Sequence, residues 1–178
     1  LVKYNNQIKK VNVFNTSELN LASGWNLVAK LFDLSIGFPK GNQAGTVMAM
    51  ASMSDSEKYV EPLVELMTNF DLQKAYFQLG IESIKLADLQ KNKLVTKIFE
   101  TTQFSEQDKF DIASSLQKAS ELVVKATIEK FLGEHEELCI AGGCALNSVI
   151  IGKNTSKFLN KGSSYRPNKN NTKSQPSF

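Results

Sequence analysis

The sequence predicts a mainly helical domain with short strands, and three features of the chain indicate it. Apolar residues recur at helical spacing in two long segments, 21–36 and 105–132. The short apolar run 138–141 is followed by two glycines and a further apolar segment, which is typical of a strand, a turn and a helix. The 178 residues are 42% hydrophobic and 22% charged, as expected of a globular domain rather than a disordered chain or a disulfide scaffold.

The first helical segment is defined by apolar residues spaced four, three, four and four. These residues are Leu21, Trp25, Val28, Phe32 and Ile36. Either Ser17 or Asn20 is suited to cap the start of this helix. We expect Gly37 and Pro39 to end it.

Four further elements are predicted between residues 42 and 99. In the segment 41–53, Asn42 is suited to cap a short helix rich in small residues and methionine. Residues 59–67 suit another short helix, with Pro62 near its first turn. We expect a short strand over 74–79 and a helix over 86–99.

The second long segment gives the clearest helical pattern in the chain. Ser105 and Asp108 resemble a capping box at its start, and Gly133 is expected to end the helix. The apolar stripe repeats at spacings of four, three, four and three: Ile112, Leu116, Ala119, Val123 and Ala126. We therefore predict one helix over 105–132 that buries this stripe.

Composition and charge exclude several classes of protein. The net charge is +3, from 20 lysines and one arginine against 18 acidic residues, which is too weak to indicate a nucleic-acid partner. No apolar run approaches the roughly 20 residues that span a bilayer, and the first residues are not those of a signal peptide. Two cysteines suit a reducing compartment. We expect a cytoplasmic protein without membrane or nucleic-acid partners.

The carboxyl-terminal segment 154–178 differs in composition from the rest of the chain. It is dominated by Asn, Lys, Ser, Pro and Gly, and it has few large apolar residues with which to offset the entropy lost on ordering. We expect a disordered or aberrant tail there. Residues 1–153 are then the domain that carries the function.

The chemistry is predicted at the glycine turn after the run 138–141. Gly142 and Gly143 would let a backbone approach an anion, and the first amides of the following helix would point at that anion. Asn147, one turn further on, is placed to hydrogen-bond a ribose or a phosphate. A packing turn is the alternative, because glycine is common in turns. Neither the full dinucleotide fingerprint nor a P-loop is present.

Two segments resemble the motifs of one enzyme family. Residues 138–149, LCIAGGCALNSV, continue to Gly152-Lys153 and resemble the "LAGGVALN…NGK" motif of the O-carbamoyltransferases. These are the nodulation-factor, cephem and aminoglycoside-antibiotic carbamoyltransferases. Residues 42–51, NQAGTVMAMA, resemble the "NEAGKVMGLA" segment of the same family. The resemblance covers roughly residues 20–153, with intervening elements in matching order.

The resemblance implies a fold, a reaction and a set of binding residues. The resemblance implies a helix-rich α/β fold, part of an actin-like ATPase domain with ribonuclease-H-like halves. The reaction would use ATP to convert carbamoyl phosphate to carbamoyl adenylate and would pass the carbamoyl group to a hydroxyl of a sugar or an antibiotic-like acceptor. The residues of the two motifs that would contact the nucleotide are Gly45, Thr46, Gly142, Gly143, Ala145 and Asn147.

The chain departs from this family at several positions. Thr46 stands where family members have lysine, and Cys144 often replaces valine. The family's divalent metal is held by a His-x-x-x-His pair and a later aspartate, and the single histidine here, His135, does not match that pair. We therefore expect a fragment of the enzyme that is inactive alone. The alternatives are a non-catalytic remnant or helical interaction module of the same fold, and a kinase of the same superfamily.

Overall fold

The computed structural model describes residues 18–34, 43–81, 83–101, 103–131 and 142–152, of which 131 and 144 are described by their backbone alone, and the backbone of 2–4 and 8–10. The chain divides into two compact units, Leu1–Glu134 and His135–Phe178. Within the described residues the first unit has the helices α1 (Leu21–Leu31), α2 (Ala44–Ala51), α3 (Val60–Thr68), α4 (Phe70–Gln78), α5 (Leu86–Gln90), α6 (Lys93–Phe99) and α7 (Glu106–Phe131). The predicted boundary at 153/154 lies outside these residues and stays a prediction.

The described part of the chain has one sheet, a two-stranded antiparallel pair. Strand β1 (Val2–Tyr4) pairs with β2 (Ile8–Lys10), and Lys3 lies opposite Lys9. Helices make up almost all of the other regular structure there. The prediction of an α/β, partial actin-like ATPase domain is therefore wrong for the described residues, because they lack the larger sheet that such a domain needs. The predicted strand 138–141 lies outside them.

The core of the first unit is built around α7, which packs against α1, α2 and α3. The predicted stripe on α7 is buried from Ile112 to Val123, whereas Ala126 is exposed. Small buried residues on the other faces of α7, such as Ser115 and Ser120, allow neighbouring helices to approach closely. Other helices therefore pack on several faces of α7 over much of its length. The apolar stripe predicted burial of one face alone.

The capping box predicted at the start of α7 is confirmed, and at α1 the cap is Asn20, the alternative to Ser17. At the start of α7, the Ser105 amide donates to Asp108 Oδ2 (2.9 Å) and the Asp108 amide donates to Ser105 Oγ (3.1 Å). Hydrogen bonds from the Ser105 hydroxyl and amide also lower the pKa of the Asp108 carboxyl group. At α1 the cap is Asn20, whose side-chain oxygen accepts from the Ser23 amide.

Helix α1 ends earlier than its glycine and proline signals predicted. Asp33 takes the left-handed conformation, with φ of 57°. The Asp33 amide donates to Lys30 O and the Leu34 amide donates to Ala29 O, the pattern of a Schellman motif. Glycine usually occupies the left-handed position that ends a helix. Because Asp33 takes it here, sequence analysis did not predict the end of α1 at this residue.

Asparagine caps also explain two differences in the middle of the chain. Residues 74–79, predicted as a strand, belong to α4, because the Asn69 side chain accepts from the Asp71 and Leu72 amides and starts a helix. The predicted helix 86–99 is two helices, since the Asn92 side chain accepts from the Leu94 amide and begins α6. The prediction of a helix over 59–67 is confirmed by α3.

Helix α6 ends on a strained residue, which gives a first prediction. Glu100 is exposed and has φ of 56°, a conformation that costs a non-glycine residue about 1 kcal/mol. Glu100→Gly is expected to raise the free energy of unfolding by about 1 kcal/mol in urea denaturation. Glu100→Ala is the matched control, because it removes the same carboxylate but keeps the strain. Equal effects of the two substitutions would contradict the prediction.

Candidate functional site

The first motif segment forms the exposed amino-terminal turn of α2. Gly45 and Thr46 are both exposed, and the Thr46 hydroxyl donates to Gln43 Oε1 at 3.2 Å. Gln43 is the residue at the helix start, but its side chain bonds to no amide of the first turn. The Asn42 cap lies outside the described residues. At the predicted site, the first turn of α2 is therefore exposed to solvent and carries no charged side chain.

The loop after α2 is fixed to α7 by polar contacts. The Lys118 ammonium lies 2.7 Å from Glu57 Oε1 and also donates to the Asp55 carbonyl oxygen at 3.0 Å. This hydrogen bond and the positive charge of Lys118 lower the pKa of the Glu57 carboxyl group. Sequence analysis missed these contacts, although the spacing of Asp111, Ser115 and Lys118 places three polar residues along one side of the helix.

The second motif segment forms a tight turn in the second unit. Gly142 has φ of 92°, a conformation that favours glycine. A 3-10 helix, Gly143–Leu146, follows, and the Ala145 amide donates to the Gly142 carbonyl oxygen at 3.0 Å. The predicted continuous helix 144–151 is thus replaced by this 3-10 helix and a separate helical turn, 148–152. Gly142 and Gly143 are exposed, and Ala145 is half-buried.

Asn147 separates these two helical pieces. Its side-chain oxygen accepts from the Ile150 amide at 3.0 Å, and its carbonyl oxygen accepts from the Ile151 amide at 3.1 Å. Its side chain is buried, with 6% of its surface exposed. The structure therefore gives Asn147 a capping role that holds the turn, and its contact with a ribose or a phosphate stays a prediction.

The three motif glycines are explained to different degrees by the fold. Gly142 is required by its positive φ. Gly45 and Gly143 have no positive φ, and a Cβ added at either would meet no described atom within 4 Å. An alanine would favour the helical conformation at Gly45 by about 1 kcal/mol. Neither backbone conformation nor packing within the described residues therefore accounts for glycine at positions 45 and 143.

The predicted site residues fall on two separate units. Gly45 and Thr46 belong to the first unit, and the turn from Gly142 to Asn147 belongs to the second. No three His, Cys, Asp or Glu side chains within the described ranges are grouped to hold a metal ion, and His135 lies outside those ranges. Among the described helices, none combines the length and the apolar character needed to cross a membrane.

Comparison with known proteins tests the resemblance. Residues 6–162 match the family described as "Carbamoyltransferase N-terminus", a region that includes both glycine-containing motifs. Searches of curated proteins and of solved structures gave no match. Because the family match spans most of the 178 residues, the chain belongs to the carbamoyltransferase family, to whose amino-terminal region it corresponds.

Proposed function

We propose that this chain contributes a nucleotide-binding surface to an ATP-dependent O-carbamoyltransferase. Membership of the family supports transfer of a carbamoyl group. The ATP requirement and the hydroxylated acceptor are proposals, supported by the similarity of residues 42–51 and 138–149 to the motifs of the O-carbamoyltransferases. The observation that carries the proposal is the pair Gly45 and Gly143, two exposed glycines that the described fold does not require.

The proposed reaction is a hydrolysis followed by two group transfers. Water first cleaves carbamoyl phosphate to carbamate and phosphate. A carbamate oxygen then attacks the α-phosphorus of ATP and displaces pyrophosphate, which gives carbamoyl adenylate. The acceptor hydroxyl oxygen then attacks the carbamoyl carbon, loses its proton and displaces AMP, which leaves a carbamate ester. Negative charge accumulates on phosphate oxygens in the first transfer, so donors fixed in advance around those oxygens would favour it.

We propose backbone groups at the glycine turn as donors for such charge. At Gly143 the absence of a side chain would let phosphate oxygens approach the exposed backbone of the turn. Asn147 would keep the turn in shape through its bond to the Ile150 amide. In the first unit, the Thr46 hydroxyl and the amino-terminal turn of α2 would offer neutral hydrogen-bond donors to the nucleotide.

A substitution at Gly143 tests the proposal. Gly143→Val adds a branched side chain in open space, so the fold should be retained while the approach of a phosphate is blocked. We expect ATP affinity, measured by isothermal titration calorimetry on the full chain, to fall at least about tenfold, as expected when a close contact with charge is lost.

Leu146→Ala is the control in the same turn. It shortens a side chain that is 84% exposed and leaves the glycine backbone open, so ATP affinity should stay unchanged. Circular dichroism of both variants checks that the fold is retained. If the parent chain binds ATP and Gly143→Val binds it equally well, Gly142-Gly143 is a packing turn and the nucleotide site lies elsewhere.

A further inference from the structure

Helix α2 is held on its neighbours by apolar packing and not by polar contacts of its own. It packs on α7 and α1, and Val47 is its fully buried residue. No charged residue lies in the segment AGTVMAMA, and the side chain of Gln43 caps no amide. Polar contacts that fix the direction of the helix must therefore come from the segments that flank it.

The loop that joins α2 to α3 supplies such contacts, and we call it and its bonds to α7 the α7 latch. The latch residues in the loop are Ser54, Asp55, Ser56, Glu57 and Tyr59, and those on α7 are Asp111, Ser115 and Lys118. Ser54 bonds to Asp111, and Asp55 and Glu57 bond to Lys118 two turns further along α7. The loop thus leaves α2 in a fixed direction.

Ser115 lies at the centre of the latch. Its hydroxyl accepts from the Tyr59 amide at 3.2 Å and donates to the Ser56 carbonyl oxygen at 3.1 Å. The side chain is fully buried, so water cannot replace these bonds at low cost. The Tyr59 amide also lies at the start of α3, so the Ser115 side chain holds both the loop and the beginning of α3 on α7.

The outer contacts of the latch are more exposed. Ser54 Oγ donates to Asp111 Oδ1 at 2.6 Å, close to the end of α2. Lys118 pairs with Glu57, whose side chain is 71% exposed, and such surface ion pairs contribute little. We therefore expect Ser115 to contribute most to holding the loop on α7, Asp111 less, and Lys118 least.

We propose that Ser115, supported by Asp111, is a positioning residue that fixes α2 on α7 and thereby holds Gly45 and Thr46 in place for the nucleotide. The hydrogen bonds of Ser115 go to Ser56 and Tyr59 and not to those two residues, so Ser115 acts through the loop. The statement about the nucleotide rests on the function proposed above. The statement about the placement of α2 stands on the hydrogen bonds alone.

Hydrogen exchange of the full chain tests the placement. In Ser115→Ala, we expect the amides of α2 to exchange about fivefold faster, the factor expected for loss of one buried hydrogen bond, while those of α6 stay unchanged. Ser114→Ala is the matched control, because Ser114 is also buried, with 3% of its surface exposed, on the same helix. A uniform rise over all helices, or no rise in α2, would overturn the proposal.

A second pair of variants guards against a folding defect in Ser115→Ala. Asp111 is half-buried, so Asp111→Ala should fold while losing the acceptor for Ser54. Asp111→Asn keeps an acceptor oxygen and should restore slow exchange in α2. If Asp111→Ala leaves α2 exchange at the parent rate, the latch does not fix the helix.

ATP titration of the same variants separates the two proposals. A fall of about fivefold in ATP affinity in Ser115→Ala and Asp111→Ala, with rescue in Asp111→Asn, supports positioning of the site. Faster α2 exchange with unchanged ATP affinity would show that the latch fixes α2 but that Gly45 and Thr46 do not contact the nucleotide. That result would overturn the positioning role for the site and leave the turn at Gly143 to be tested separately.

Discussion

Replacement of Leu116 by alanine is expected to lower the free energy of unfolding by about 3 kcal/mol. Leu116 is fully buried on α7, and its Cδ1 atom lies 2.9 Å from the position that a Cβ on Gly24 of α1 would take. The cavity would open between two helices whose close approach depends on that glycine. Urea denaturation followed by Trp25 fluorescence measures the loss, because Trp25 is the only tryptophan and its indole donates to Ser120 Oγ on α7.

Gly24→Ala makes this prediction specific to one contact. In the parent chain the added methyl group would press on Leu116 and on Met67 Sδ, which lies 3.4 Å from the Cβ position. The overpacking should outweigh the gain of about 1 kcal/mol in helix propensity and leave a net loss of about 1 kcal/mol. In the Leu116→Ala background, the same methyl group enters vacated space and should be neutral or stabilising.

The control for the Leu116 substitution is Leu122→Ala on the same helix. Leu122 is 50% exposed, so its truncation should change stability by about 0.5 kcal/mol or less. If the changes in the free energy of unfolding caused by Gly24→Ala and Leu116→Ala simply add in the double variant, the close contact between α1 and α7 is contradicted. A loss at Leu122 as large as that at Leu116 would contradict the assignment of the core face.

Local signals in the sequence predicted individual helices well, because caps act within a few residues. The Ser105–Asp108 box and the Asn20 cap each bond within three residues along the chain. The fold class was wrong for the described residues because it was taken from the family resemblance, and the strand predicted over 74–79 was wrong as well. Residues 74–79 belong to a helix that Asn69 caps. Leu72 and Tyr76 are buried four residues apart in this helix, which is helical and not strand periodicity.

The candidate site was predictable as motif positions but not as geometry. Sequence identified Gly142 and Asn147, yet it could not show that Asn147 turns inward to cap the turn, since that depends on where the amide of Ile150 lies. The α7 latch could not be predicted from sequence for a similar reason. Its hydrogen bonds join residues 54–59 to residues 111–118, and the local sequence of one segment does not indicate which residues of the other it contacts.

Gln73→Glu is expected to lower the free energy of unfolding by about 4 kcal/mol at pH 7. Gln73 lies on α4 and is fully buried, and its Nε2 atom donates to Ser23 Oγ at 2.7 Å and to the Leu66 carbonyl oxygen. The carboxylate has the same shape but no donor. It would face the Leu66 carbonyl oxygen with a negative charge in a site without access to water.

The pH dependence of this variant distinguishes buried charge from a simple packing defect. Unfolded glutamate has a pKa of about 4.3, and burial beside a carbonyl oxygen would raise the pKa of the folded state above that value. The folded variant then binds more protons than the unfolded chain, so its stability relative to the parent is greatest below about pH 4 and falls as the pH rises through the raised pKa of the folded state.

Gln78→Glu, an exposed change on the same helix, should alter stability by about 0.5 kcal/mol or less at any pH. Urea denaturation of both variants and the parent chain from pH 3.5 to 8 gives the comparison, with each difference taken against the parent at the same pH. A loss at position 73 that is independent of pH would show that the side chain reaches water, and would contradict the buried contact between α4 and the end of α3.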